Sequence, residues 1–179
     1  MYHSDRKKGT TLYNIMIPIW LLVFWPSYLW LLLIPANYII DRLVLAWSLK
    51  GQPDVGAFCR KHTWKICLVG FFCDFVGCLL LLVTALGADG SGSGGVKDFL
   101  ENTVGNVMYN PYEHPLAILM ILVSIALAGL LIYLIDRPIL VKAGLTAEAA
   151  KKSARMLAVF TAPYLFLIPS SLIYGDFII

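Results

Sequence analysis

Charged side chains are scarce in this chain of 179 residues: Asp, Glu, Lys and Arg make up 14% of it, against 59% hydrophobic residues. A typical soluble domain has about 25% charged residues. With so few polar groups, a soluble fold could not cover its apolar surface, so an ordinary soluble domain is excluded. The composition therefore predicts an integral membrane protein with most of its mass inside the lipid bilayer.

Common catalytic and nucleotide-binding motifs are also lacking. The chain has no HExxH, GxSxG, P-loop or GxGxxG pattern. Its three histidines, His3, His62 and His114, lie in termini and loops, apart from any cysteine or carboxylate on the same helical face. We therefore expect no enzymatic activity, no metal site and no cofactor.

Cysteine is present four times, but without metal-binding spacing. No CxxC pair occurs, three of the four lie in one apolar segment, and none lies in the polar segment 87–115. A disulfide framework is therefore not expected. The cysteines, which are Cys59, Cys67, Cys73 and Cys78, are predicted to be small buried packing residues.

Four apolar segments are long enough to cross a bilayer, which takes about 20 residues. They are residues 12–34, 64–86, 116–135 and 156–174. None alternates with the period of a barrel strand, so the predicted fold is an all-α polytopic membrane protein with four transmembrane helices. Pro26 lies in the first segment, which is expected to be a kinked helix or a re-entrant hairpin. Thr146 is the expected N-cap of the helix that leads into the fourth segment.

The basic residues indicate how these segments are oriented. Ten of the 14 Lys and Arg residues lie in 41–65 and 136–155, whereas segment 87–115 contains only Lys97. The positive-inside rule places the two basic loops in the cytoplasm, and it places loop 87–115 and the C-terminus outside. A full first span puts the basic N-terminus outside and is the favoured interpretation, whereas a re-entrant hairpin, the alternative, keeps it inside. This placement of the net charge of +3 indicates membrane orientation, not nucleic-acid binding.

Two helix ends on the cytoplasmic side have similar sequences, Tyr38-Ile-Ile-Asp41-Arg42 and Tyr133-Leu-Ile-Asp136-Arg137. Each follows an odd-numbered span and leads into a basic loop. The similarity predicts two similar helical hairpins about a pseudo-two-fold axis along the membrane normal, with coincidence as the alternative. The charged residues Asp41, Arg42, Asp136 and Arg137 are expected to anchor the helix ends at the lipid headgroups.

Asp74 is a carboxyl group deep inside an apolar segment. It lies ten residues into the second span, about 15 Å along a helix, where a charge costs about 2.5–3.5 kcal/mol. Gly70, Cys73 and Gly77 share its helical face at the spacing i, i+3, i+4, i+7. Small residues allow another helix to approach closely, so this face is predicted to pack against other helices.

The fourth span contains the groups expected to face Asp74. Pro163 cannot donate a backbone hydrogen bond and frees the carbonyl of Val159, and Thr161 carries a hydroxyl. The sequence predicts a polar site between spans two and four, formed by Asp74, Thr161 and the backbone at Pro163. Such a site would bind an ion or a proton, fasten two helices through a hydrogen bond, or contact a protein partner.

The first functional hypothesis is a small non-enzymatic multi-pass membrane protein that acts as a homo-oligomer or as a subunit of a larger membrane complex. Four spans leave little room for a private transport path, and the basic loops suit anionic lipid headgroups. The alternative is a small proton or cation channel or transporter that uses Asp74. The chain resembles small polytopic proteins of the plasma (inner) membrane in general, and no motif links it to a named family.

Overall fold

The computed structural model of the chain describes residue 21, residues 30–89, residue 103 and residues 106–174, with side chains except at 85–89, 173 and 174. This part of the chain is helical and contains no strand, as predicted. The α-helices are α1 (Trp30–Ser48), α2 (Val55–Asp89), α3 (Pro115–Lys142), α4 (Ala147–Phe160) and α5 (Ser170–Tyr174). The 3-10 turn Pro111–Glu113 precedes α3, and the 3-10 turn Tyr164–Leu167, called the second 3-10 turn below, precedes α5.

Three of these helices are long and apolar enough to cross a membrane. They are α1, the Val55–Thr84 part of α2, and α3. The predicted third span lies inside α3, and the second lies inside α2. Most of the first predicted span, 12–34, lies outside the described residues, including the bend expected at Pro26.

The fourth predicted span, 156–174, is divided instead of forming one helix. Helix α4 ends at Phe160, and a bend, the second 3-10 turn and the short α5 follow. Pro163 has no N–H to donate and disfavours a helical backbone at the preceding residue. The apolar residues of this segment are therefore divided among several short elements and do not form one long helix.

Helices extend into both segments that were predicted to be basic loops. The turn between α1 and α2 covers only residues 49–54, and the turn between α3 and α4 covers only residues 143–146. Gly51 and Gly144 have φ angles of 94° and 106°, which glycine adopts without a steric penalty from a Cβ. As a result, Asp41 and Asp136 lie within helices. Helix α2 likewise runs three residues into the predicted loop 87–115, and residues 90–102 lie outside the described part.

Four pairwise contacts connect the long helices. Helix α2 packs against α1 and α3, and α4 packs against α3 and α1. Leu45, Ile66, Ile132 and Leu157 contribute to a core shared by all four helices. Around Leu81, a second core includes side chains of α3 and the second 3-10 turn. The four helices thus surround a common interior.

Thr146 begins α4 as predicted, because its side chain accepts a hydrogen bond of 3.3 Å from the N–H of Ala149. Replacing Thr146 by Ala is expected to lower the free energy of unfolding by about 1 kcal/mol, since one N–H at the helix start loses its acceptor. Denaturant titration in detergent, followed by circular dichroism, measures this loss. Thr146→Ser keeps the acceptor oxygen and is the control. Equal losses in the two variants would contradict the capping role.

Candidate functional site

Three aspartates from three helices point into the shared interior. Asp41 of α1 is 3% exposed, Asp74 of α2 is 7% exposed and Asp136 of α3 is fully buried. Asp41 shares the buried stripe of α1 with Val44, Leu45 and Ser48, at the spacing i, i+3, i+4, i+7. Asp136 lies one turn from the buried Ile132 and Leu140 of α3. The helical period therefore carries these carboxyl groups inward, and we name them the acidic cluster.

Asp41 is the centre of the acidic cluster. It interacts electrostatically with both Asp74 and Asp136. Its carboxyl group is within hydrogen-bonding reach of the Cys67 thiol on α2 and of the Thr161 hydroxyl at the end of α4. On α2, Gly70 lies beside it, because a Cβ there would be 4.0 Å from Asp41 Oδ2. Groups from all four long helices therefore meet in one region.

Several oxygens of the acidic cluster are buried without a partner. Both carboxyl oxygens of Asp136 and Oδ1 of Asp74 have no hydrogen bond. No Lys or Arg among the described residues contributes to the electrostatic surroundings of the three carboxyls. Burying a carboxyl group without a hydrogen bond or counter-charge costs free energy. A purely helix-fastening role would need the hydrogen bonds that these oxygens lack.

The geometry of the acidic cluster bears on the species it can bind. In the described ranges, no three or more His, Cys, Asp or Glu side chains are grouped closely enough to hold a metal ion. The three carboxyls interact across the interior but do not converge as one coordination shell. Each can take up and release a proton by itself, and an electrostatic interaction links Asp41 to each of the other two.

Further polar groups lie along the interior on either side of the acidic cluster. The hydroxyls of Ser48 and Ser153 are hydrogen-bonded at 2.7 Å, about 10 Å from Asp41 along α1. Thr63 of α2 is fully buried, and its hydroxyl has no partner. On the other side, the Ser124 hydroxyl donates to the carbonyl of Gly77 at 2.6 Å. Polar atoms are therefore distributed along much of the bundle interior.

The small-residue face predicted on α2 contacts both neighbouring helices. Gly70 lies beside Asp41 of α1. A Cβ at Gly77 would lie 3.2 Å from Ser124 Oγ of α3 and 3.3 Å from Phe166 Cε2 of the second 3-10 turn. Cys73 is fully buried, and its thiol interacts with Asp74 and Asp136. All four cysteines are buried, as predicted.

The polar site predicted between spans two and four is arranged differently from the expectation. The contacts in the described part bring Thr161 to Asp41, whereas Asp74 interacts with Asp41 and with thiols of α2. Thr161 also donates from its hydroxyl to the carbonyl of Leu157 at 2.9 Å. Pro163 is buried and precedes the second 3-10 turn. The Val159 carbonyl, which Pro163 was expected to free, accepts a hydrogen bond from the Tyr164 hydroxyl.

In each of the two Asp-Arg pairs, the arginine lies at the surface and the aspartate lies in the interior. Arg42 and Arg137 are exposed, and their contact with lipid headgroups stays a prediction. Asp41 and Asp136 face inward, since each helix continues past the point where a loop was expected to begin. The inward position of Asp41 could have been predicted from the sequence, because Asp41 and Ser48 share one helical face with the apolar Val44 and Leu45.

The chain was compared with protein-family models, with curated proteins and with solved structures. None of the three comparisons gives a match. The acidic cluster and its surroundings therefore carry the functional argument.

Proposed function

We propose that this chain is a multi-pass membrane protein that binds protons at the acidic cluster and passes them across the bilayer. The observation that carries the proposal is Asp136, which is fully buried while both of its carboxyl oxygens lack a hydrogen-bond partner. Ionisable residues inside membrane-spanning bundles mark ion pathways and proton relays. Asp41 interacts electrostatically with Asp136 and with Asp74, so the three carboxyls form one coupled set.

We favour a proton over a metal ion as the transported species, because the three carboxyls do not form a common coordination shell. A proton needs only one oxygen at a time, and a bridging water can carry it between carboxyls that are not in direct contact. The buried hydroxyls of Thr63 and of the Ser48–Ser153 pair extend the polar interior toward the turns 49–54 and 143–146. A small monovalent cation is the alternative cargo at the same site.

In the proposed architecture, α1–α2 and α3–α4 are two similar hairpins about a pseudo-two-fold axis. Such an axis exchanges α1 with α3 and α2 with α4, which makes the packed pairs α1–α4 and α2–α3 equivalent. Asp41 and Asp136 then occupy matching positions in the interior. The division of segment 156–174 beside Asp41 resembles the discontinuous helices that form sites in many transporters.

We further propose the setting in which the protein works. The two basic segments 41–65 and 136–155 lie on the cytoplasmic side of the plasma membrane, near anionic headgroups, and the C-terminus lies outside. The fourth crossing is made by segment 156–174 as a broken helix. The small size of the bundle supports the proposal that it works as an oligomer or as a subunit of a larger membrane complex.

A proton-flux measurement tests the proposed activity. Purified protein is reconstituted into liposomes that contain a pH-sensitive dye and a high concentration of K⁺, and valinomycin then sets a membrane potential that is negative inside. We expect the lumen to acidify faster than in protein-free liposomes, with a rate proportional to the protein content. Equal rates with and without protein would overturn the proposal, and Na⁺ flux without acidification would replace the proton with a cation.

A further inference from the structure

A groove on the outer surface of the bundle runs between α3 and α4, on the other side of α3 from its contact with α2. Its volume is about 510 Å³, and its walls are mainly apolar, with Leu122 and Leu130 from α3 and Val159 from α4. Gly129 also lines it, where the two helices approach so closely that a Cβ would lie 3.1 Å from the Ala158 carbonyl oxygen. The absent side chain at this position thus allows α3 and α4 to pack closely along the floor of the groove.

One end of this groove is polar and basic. Arg155 of α4 and Tyr133 of α3 line it there, and Arg155 is exposed. Lys151 and Lys152 are also exposed and lie about one helical turn closer to the turn 143–146. Arg155 directly precedes the predicted fourth span, and Tyr133 lies two residues before the end of the predicted third span, so the long arginine side chain is placed to snorkel toward the headgroups.

The length of the groove is close to the thickness of one lipid leaflet, which is half of a hydrocarbon core of about 30 Å. From Tyr133 to Leu122 it follows α3 for 11 residues, about 16 Å at 1.5 Å per residue. We infer that the groove binds one anionic phospholipid, with an acyl chain along Gly129 and the phosphate at Arg155. The three basic side chains attract a headgroup of net negative charge and repel the quaternary ammonium of a choline headgroup. This inference is independent of proton movement through the interior.

Lipid retention measured by native mass spectrometry tests the headgroup contact. The protein is purified with equal amounts of phosphatidylglycerol and phosphatidylcholine of identical acyl chains. We expect the wild-type chain to retain one phosphatidylglycerol in preference. Arg155→Gln is expected to lower the ratio of retained phosphatidylglycerol to phosphatidylcholine by about fivefold, the scale of one basic residue at an anionic surface. Arg155→Lys keeps a positive charge in the groove and should keep a ratio close to that of the wild-type chain.

A second pair of variants tests the acyl-chain contact. Ala126→Trp places a large side chain inside the groove and should lower retention of both lipids. Val83→Trp adds the same bulk to an exposed position of α2 outside the groove and should have no effect. The inference is overturned if the wild-type chain has no preference, if Arg155→Gln keeps the wild-type ratio, or if Ala126→Trp retains lipid as the wild-type chain does.

Discussion

Replacing Asp136 by Asn is expected to reduce proton flux through reconstituted protein to the leak of protein-free liposomes. Asn has nearly the same shape as Asp but cannot take up and release a proton at this position. Since Asp136 is fully buried beside Asp41, no solvent-exposed carboxyl can replace it. The initial rate of lumen acidification under a valinomycin-set potential measures the effect.

The free energy of unfolding of Asp136→Asn distinguishes a proton-binding role of Asp136 from a structural role. Both Asp136 oxygens lack hydrogen-bond partners, so Asp136→Asn should leave the free energy of unfolding unchanged or raise it. Asp54→Asn alters an exposed aspartate in the turn between α1 and α2 and should retain full flux. Wild-type flux in Asp136→Asn, or a lost flux accompanied by a large loss of stability, would rule out the proposed proton-binding role.

Gly77→Leu is expected to destabilise the bundle at the upper end of the range of about 1–3 kcal/mol that overpacking costs. Even a Cβ at this position would lie 3.3 Å or less from Ser124 Oγ and Phe166 Cε2, and it would also approach the Ser124 carbonyl oxygen. A leucine must therefore push α2 away from α3 and disturb the hydrogen bond from Ser124 to Gly77. Denaturant titration in detergent and the yield of monodisperse protein measure the effect.

Gly56→Leu is the matched control, because it lies on the same helix with nothing within 4 Å of an added Cβ. It should keep the wild-type stability. A shorter side chain at residue 166 should also partly rescue the Gly77 variant, since residues in contact couple energetically. Equal stability of the two leucine variants would mean that α2 and α3 do not approach closely at Gly77.

The membrane-like fold class could be predicted because composition and the length of apolar runs are properties of the chain itself. Helix ends were predicted less well. Charged residues such as Arg42 and Arg137 interrupt the apolar runs from which the span ends are predicted, but the helical hydrogen bonding continues past them to Ser48 and Lys142. Thr146 was predicted correctly because capping depends on local chemistry alone. The hydropathy of segment 156–174 predicts one continuous helix and gives no indication of the break at Pro163. The proline itself does indicate such a break, because it disfavours a continuous helix.

The candidate site was predicted in part. Asp74 was found because a single carboxyl in an apolar run is conspicuous. Asp41 and Asp136 were placed at the membrane surface, since an Asp beside an Arg near a span end is typical of an anchor. The face on which each side chain lies follows from helical register, but which helices meet there depends on packing that one sequence does not contain. Thr161 was therefore expected beside Asp74, whereas it lies beside Asp41.

The end of α4 beside Asp41 also contributes an electric field. Peptide dipoles along a helix add up to about half a negative charge at its C-terminus, where carbonyl groups lack partners within the helix. Thr161 is the C-cap of α4, and its hydroxyl lies within hydrogen-bonding reach of Asp41. The backbone therefore adds negative potential to that of the side chains. A positive species entering the bundle would be drawn toward Asp41 before it contacts any carboxyl oxygen.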